Sequence, residues 1–205
     1  MKKPIVTALA VLIAGQLVTF AQTRRMASPA GASATQVGGT YDAREGYVNG
    51  RWLEIRYGRP IKRGRDLFGT GDYAEFLNDG APIWRAGANV TTRLNIEAPI
   101  IMGDKKIPQG EYSLFVDLQP QGWTLVVSTW PAQMTTYDDK NKTALWGAYE
   151  YTPDRDLVRV RMTRAKLPYS FDQLSWQFLD MTENGGKLAL IWEREIATVS
   201  FEMRP

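Results

Sequence analysis

Four cationic side chains, Arg59, Lys62, Arg63 and Arg65, fall within the seven residues RPIKRGR, and another arginine stands in IWRAGANVTT over 83–92. A guanidinium presents a planar fork of donors that matches carboxylate or phosphate oxygens, and Gly64 and Gly69 let the backbone bend so that several such donors converge on one anion. Asp66, Asp72 and Glu75 follow closely, so the competing outcome is a solvated loop whose charges cancel locally. In IWRAGANVTT, Trp84 can stack on a ligand while Arg85 and Asn89 grip it. The same residues also describe a corner, with Trp84 in the core, Gly87 at positive φ, and Arg85 and Asn89 bonded to carbonyls where a strand begins.

Seven tryptophans enlarge the choice of stacking surfaces. Trp176 and Trp192 share a strand face with Phe178, Leu188 and Leu190 and are expected in the core. Trp130 and Trp146, which flank a long loop, and Tyr149 in WGAYEY are the better ligand candidates. Glu150, Asp154, Asp138, Asp139 and Glu193 are available as carboxylates, but nothing in their spacing selects a catalytic pair. Asp138-Asp139 lacks the alternating acidic ladder and glycine of a calcium loop.

Composition excludes more chemistry than any motif proposes. The 205 residues contain no His and no Cys, which removes Ser-His-Asp and Cys-His nucleophiles, His-based zinc sites, the iron site of two His and a carboxylate, and disulfides. No catalytic residue, metal ligand or cofactor is assigned. The candidate ligand-binding set is Arg59, Arg63, Arg65, Trp84, Arg85, Asn89, Trp146, Tyr149 and Glu150.

These side chains must be positioned by the elements between them. Residues 1–21, MKKPIVTALAVLIAGQLVTFA, carry two lysines, an apolar run and a small-x-small end, the pattern of a cleavable signal peptide for periplasmic or secreted export. There is no Cys for a lipid anchor, and no later apolar run approaches the roughly 18 residues of a membrane span. Losing Lys2 and Lys3 takes the 25 basic residues to 23 against 22 acidic, a net charge of +1 that gives no footing for nucleic acid. Residues 22–39 are small and polar and read as a flexible tether; 40–205 form the domain.

A two-residue period dominates that domain. Leu53, Ile55 and Tyr57 alternate with Trp52, Glu54 and Arg56; Val90, Thr92, Leu94 and Ile96 alternate with Thr91, Arg93 and Asn95; Tyr112, Leu114, Val116 and Leu118 form a third inward face. Turns are predicted at Gly103-Asp104, Gln119–Gly122 and Asn184-Gly185-Gly186, and further strands over 99–102, 123–130, 157–162, 174–179, 187–193 and 196–202. Residues 66–77 allow at most a short helical turn. The fold class expected is all-β, a single antiparallel β-sandwich of jelly-roll-like character with little helix.

Five ordered stretches, YGRPIKRGRDLFG at 57–69, IWRAGANVTT at 83–92, KKIPQGEYSLF at 105–115, WGAYEY at 146–151 and LIWE at 190–193, resemble the domain-of-unknown-function 2911 family of exported bacterial proteins. The likeness spans about residues 35–202. Two positions depart from the family pattern: Gly58 replaces a Ser, and Val90 stands where an acidic residue often follows the Asn. The resemblance implies export and the domain limits, and brings no established activity. The leading expectation is a binding or interaction module for a polar or anionic ligand such as a glycan. The alternatives are a hydrolase of glycans or esters, using Glu150 or Glu193 with Arg85 as anion stabiliser, and a structural subunit of an envelope or extracellular assembly.

Overall fold

The computed structural model describes residues 27–69 and 71–203. In chain order its elements are β1 (Ala30–Val37), β2 (Thr40–Asp42), β3 (Gly46–Val48), β4 (Arg51–Gly58), α1 (Tyr73–Asn78), β5 (Thr92–Ile96), β6 (Ile100–Met102), β7 (Lys105–Ile107), β8 (Gly110–Gln119), β9 (Gly122–Ser128), β10 (Asp156–Arg161), β11 (Thr163–Thr182) and β12 (Gly185–Met203). The expected leader, 1–21, and the start of the expected tether lie outside the described residues. Among the described residues no helix is long and apolar enough to cross a membrane.

Alternation builds the first sheet, whose strand order is β1-β4-β5-β8-β9-β10. Leu53, Ile55 and Tyr57 are buried while Trp52 and Arg56 are exposed, as a strand with one face on a core requires. Leu94, Ile96, Leu114, Val116, Leu125 and Val127 continue that inner face. The second sheet runs β11-β12-β6-β7, and β2 and β3 form a separate hairpin. Trp84, Trp123 and Trp176 are fully buried in the core between the sheets. Where β1 lies beside β11 and β10 beside β7, the two sheets also approach along their edges. The molecule is therefore all-β and antiparallel, with α1 as its one α-helix among the described residues.

Three differences from the sequence expectation have physical causes. Residues 30–37, expected within the tether, form β1, which pairs with β4 from Ala30↔Gly58 to Val37↔Arg51. Its small side chains give no apolar period, and it is held instead by backbone pairing and by the Ser33 hydroxyl donating to the Trp176 carbonyl at 2.6 Å. The three short strands expected after residue 162 are parts of two long ones, β11 and β12. The charged trio Glu193-Arg194-Glu195 interrupts the alternation, but β12 passes through it with Glu193 in the left-handed region (φ 54°), and β11 shifts register opposite.

The outer face of the first sheet is not all solvated either. Phe115 and Val126 point away from the main core, and Ala81, Ile83, Trp130, Leu145, Ala148 and Tyr151 cover them in a second apolar cluster. Trp130, a ligand candidate from its position, belongs to this cluster. Its indole N–H donates to the Thr152 carbonyl at 2.9 Å and its ring packs under the Arg155 guanidinium at 4.0 Å. The segments covering this face carry Trp84, Arg85, Trp146 and Tyr149.

Candidate functional site

β5 pairs with β8 only as far as Leu114. Past that point Trp84 takes over the open edge, exchanging backbone hydrogen bonds with Val116 at 3.3 and 2.9 Å. Buried backbone groups need such partners, so 83–85 is fixed as a sheet extension before the chain turns into β5. Ala86 (φ 48°) and Asn89 (φ 63°) make that turn in the left-handed region. A Cβ at Gly58 would stand 1.9 Å from the Ala88 carbonyl oxygen, so the glycine found there lets the turn lie directly on β4.

Arg85 is only 7% exposed. Its Nη1 donates to the Asn89 carbonyl at 3.2 Å and its Nη2 to Asp79 Oδ2 at 3.0 Å. Asp79, just past the end of α1, is left-handed (φ 54°) with its amide bonded to the Glu75 carbonyl, a C-terminal helix cap that points its carboxylate at Arg85. The same Oδ2 accepts the Tyr149 hydroxyl at 3.1 Å, and the guanidinium lies 5.3 Å from the Tyr149 ring centroid. Tyr149 and Trp146 are brought up by the turn at Gly147 (φ 64°), where a Cβ would come within 2.5 Å of Arg85 Nη1. The Thr91 hydroxyl ties this turn down through the Gly147 carbonyl at 2.7 Å.

Together these residues open a cavity of about 470 Å³, lined by Trp84, Arg85, Asn89, Trp146 and Tyr149 and also by Arg65, Phe76, Leu77, Asp79 and Trp192. Trp84 and Trp192 stack at 6.2 Å with 12° between their planes. Two guanidiniums and one carboxylate face the space. Arg65 reaches it with Nε and Nη2 bonded to the Lys62 and Ile61 carbonyls at 2.9 and 2.7 Å, and its guanidinium is 5.9 Å from the Phe76 ring centroid. Fixed donors and acceptors between aromatic faces are what small-ligand pockets use to orient a guest.

Six of the nine candidates, Arg65, Trp84, Arg85, Asn89, Trp146 and Tyr149, therefore meet. Arg59 does not: it runs across Gly31 toward β11, with Nε and Nη2 each 3.4 Å from the Leu174 carbonyl and the Ser175 hydroxyl. Arg63 is exposed on a left-handed turn (φ 52°) whose amide bonds to Asp172. Glu150 sits outside the cavity, paired with Lys142 at 2.6 Å. That bond is the main reason the Lys142 pKa is raised. Glu193 is held elsewhere, by Lys62 Nζ at 3.1 Å and the Leu67 amide at 3.3 Å, so the two carboxylates weighed for hydrolysis share no cavity with Arg85. Four of these lining residues lie outside the candidate set. Trp192 is in the core as expected and also borders the cavity, and Phe76, Leu77 and Asp79 belong to a short helix and its cap, signalled only by the turn triplet Asn78-Asp79-Gly80.

An antiparallel β-domain of two packed sheets with a mixed aromatic and charged cavity is thus the class that fold and site define. The chain belongs to the family described as a protein of unknown function, DUF2911, whose model matches residues 42–201. No curated protein and no solved structure matches it.

Proposed function

We propose that this domain is a binding module whose cavity holds a polar ligand, and that a glycan is the ligand class it fits best. The observation that carries the proposal is the Arg85–Asp79 pair lying against the Tyr149 ring in a cavity that Trp146 also lines. A sugar ring offers an apolar C–H face for stacking and neighbouring hydroxyls that both donate and accept. A carboxylate and a guanidinium held side by side answer such a pair of hydroxyls, with charge-assisted bonds stronger than neutral ones. Two arginines against one aspartate leave the cavity positive, which also accommodates an acidic sugar.

Binding is favoured over hydrolysis because Asp79 is the one carboxylate among the lining residues, whereas glycoside chemistry uses two, roughly 5 to 10 Å apart. The leader read at 1–21 would deliver the domain to the periplasm or the exterior, where glycans are met. Titration of the mature chain with a glycan panel, read by tryptophan fluorescence, tests this. Saturable quenching by at least one glycan, abolished in Arg85→Ala and weakened in Trp146→Ala, is expected. A flat response to the whole panel would remove the proposal.

A further inference from the structure

Resting on that reading, we propose that the site continues past the cavity onto a second subsite formed by Tyr137 and Trp146, and that its ligand is an oligosaccharide of at least two units with one end in the cavity. Trp146 lines the cavity, and the Tyr137 ring lies 6.1 Å from it at 55°, so a second aromatic surface continues outward from the first. Tyr137 is 59% exposed. An aromatic ring left this open contributes little to a core; its free face is a stacking surface.

The loop that presents Tyr137 is built to hold it there. Gln133, 9% exposed, lies inside the loop and bonds across it with its amide. Its Nε2 reaches the carbonyls of Asp138, Asn141 and Ala144 at 3.1, 3.3 and 2.9 Å, while its Oε1 accepts the Asp138 amide at 2.7 Å. Backbone bonds from Gln133 to Leu145 and from Leu145 to Pro131 close the base. One buried polar side chain thus replaces a hydrophobic core for the loop, which leaves the tyrosine outside. The same loop carries Lys142, whose pairing with Glu150 places a donor and an acceptor next to Tyr149 in sequence. An aromatic side chain stands both in the cavity, Trp146, and on the loop beside it, Tyr137. Repetition of one stacking chemistry at neighbouring positions is what a polymer of like units requires.

The test is calorimetric titration of the mature chain with cello-, malto- and chito-oligosaccharides of one to four units, repeated with Tyr137→Ala and Trp146→Ala. Within a series that binds, affinity should rise about three- to tenfold from one unit to two, the gain of one further aromatic contact. Tyr137→Ala, an exposed change that leaves the cavity intact, should erase that gain and keep single-unit affinity; Trp146→Ala should lower both. Equal affinity for one and two units, or a Tyr137→Ala loss that is the same at every length, overturns the second subsite alone. Absence of binding in all three series overturns the subsite together with the glycan assignment.

Discussion

Gly147→Ala isolates the contact on which the cavity depends. Its φ of 64° is left-handed, which costs an L-residue about 1–2 kcal/mol. The new Cβ would also lie 2.5 Å from Arg85 Nη1 and 3.2 Å from Cδ and Cζ, so the guanidinium must move. Because it is buried, moving it breaks the bond to the Asn89 carbonyl, and a hydrogen bond from a charged group is worth about 1.5–3 kcal/mol. The sum is a loss of about 2.5–5 kcal/mol, which for a chain of this size lowers Tm by roughly 5–20 °C.

Gly80→Ala supplies the control, since φ is 78° there and nothing lies within 4 Å of the added Cβ. Only the backbone cost of about 1–2 kcal/mol should appear. Scanning calorimetry of both variants, and of Gly147→Ala in an Arg85→Ala background, forms a double-mutant cycle. In that background the contact is gone and Gly147→Ala should fall to the cost of the control, a coupling of about 1.5–3 kcal/mol. The reasoning is refuted if Gly147→Ala costs no more than Gly80→Ala, or if its full penalty persists without Arg85.

Gln133→Ala should strand the carbonyls of Asp138, Asn141 and Ala144 and open the loop at a cost of about 1–3 kcal/mol, seen as faster amide exchange and protease cleavage over 134–144 while the sheets stay protected. The Tyr151 pKa is raised, first by burial and then by its bond to Asp156 at 2.6 Å. Its contribution to stability is therefore present below the ordinary phenol range, near pH 10, and lost as pH rises through the higher folded value; alkaline denaturation should show a weaker pH dependence in Tyr151→Phe. Asp42 moves the other way, its pKa lowered by the amides of Glu45 and Arg44. Its support of the β2–β3 hairpin is present above the ordinary carboxylate range and lost as pH falls through the lowered value, so NMR signals of Tyr41 and Tyr47 should shift with acid in the wild type and lose that step in Asp42→Ala.

The fold was legible wherever one side of a strand faces the main core, because burial writes itself as alternation: Leu53, Ile55 and Tyr57, or Tyr112, Leu114 and Val116. It was illegible where other forces hold the chain. β1 is kept by backbone pairing, which small residues do not advertise, and the second cluster blurs alternation by burying Phe115 and Val126 on what would be the wet face. The same cluster explains why Trp130 was misjudged: position beside a loop says nothing about which way the loop folds. In the site, the residues that converge come mostly from two stretches, 83–92 and 146–151, each carried by a turn with a left-handed glycine or alanine. The cation-rich loop splits. Arg65 joins the cavity, while Arg59 is drawn to the Leu174 carbonyl and the Ser175 hydroxyl and Arg63 stands exposed on a left-handed turn.

IWRAGANVTT poses a choice between a structural corner and a ligand site; the geometry shows the corner, set at the border of the cavity, and the proposed site would use it. Arg85 is buried and bonded to a backbone carbonyl as a corner residue should be, yet its Asp79 partner is 69% exposed at the side chain and both line open space. A surface arginine that grips a ligand must first surrender the freedom of its long side chain, a cost of up to about 2 kcal/mol. Arg85 has already surrendered it on folding, to Asn89 on one side and to the space above Gly147 on the other. The corner thus holds the guanidinium in place before any ligand arrives, and the left-handed residues Ala86 and Asn89 are strain located where rigidity is useful. In a domain with no histidine and no cysteine, the proposed site would draw its specificity from one arginine fixed by a turn carbonyl, a helix-cap aspartate and a tyrosine ring.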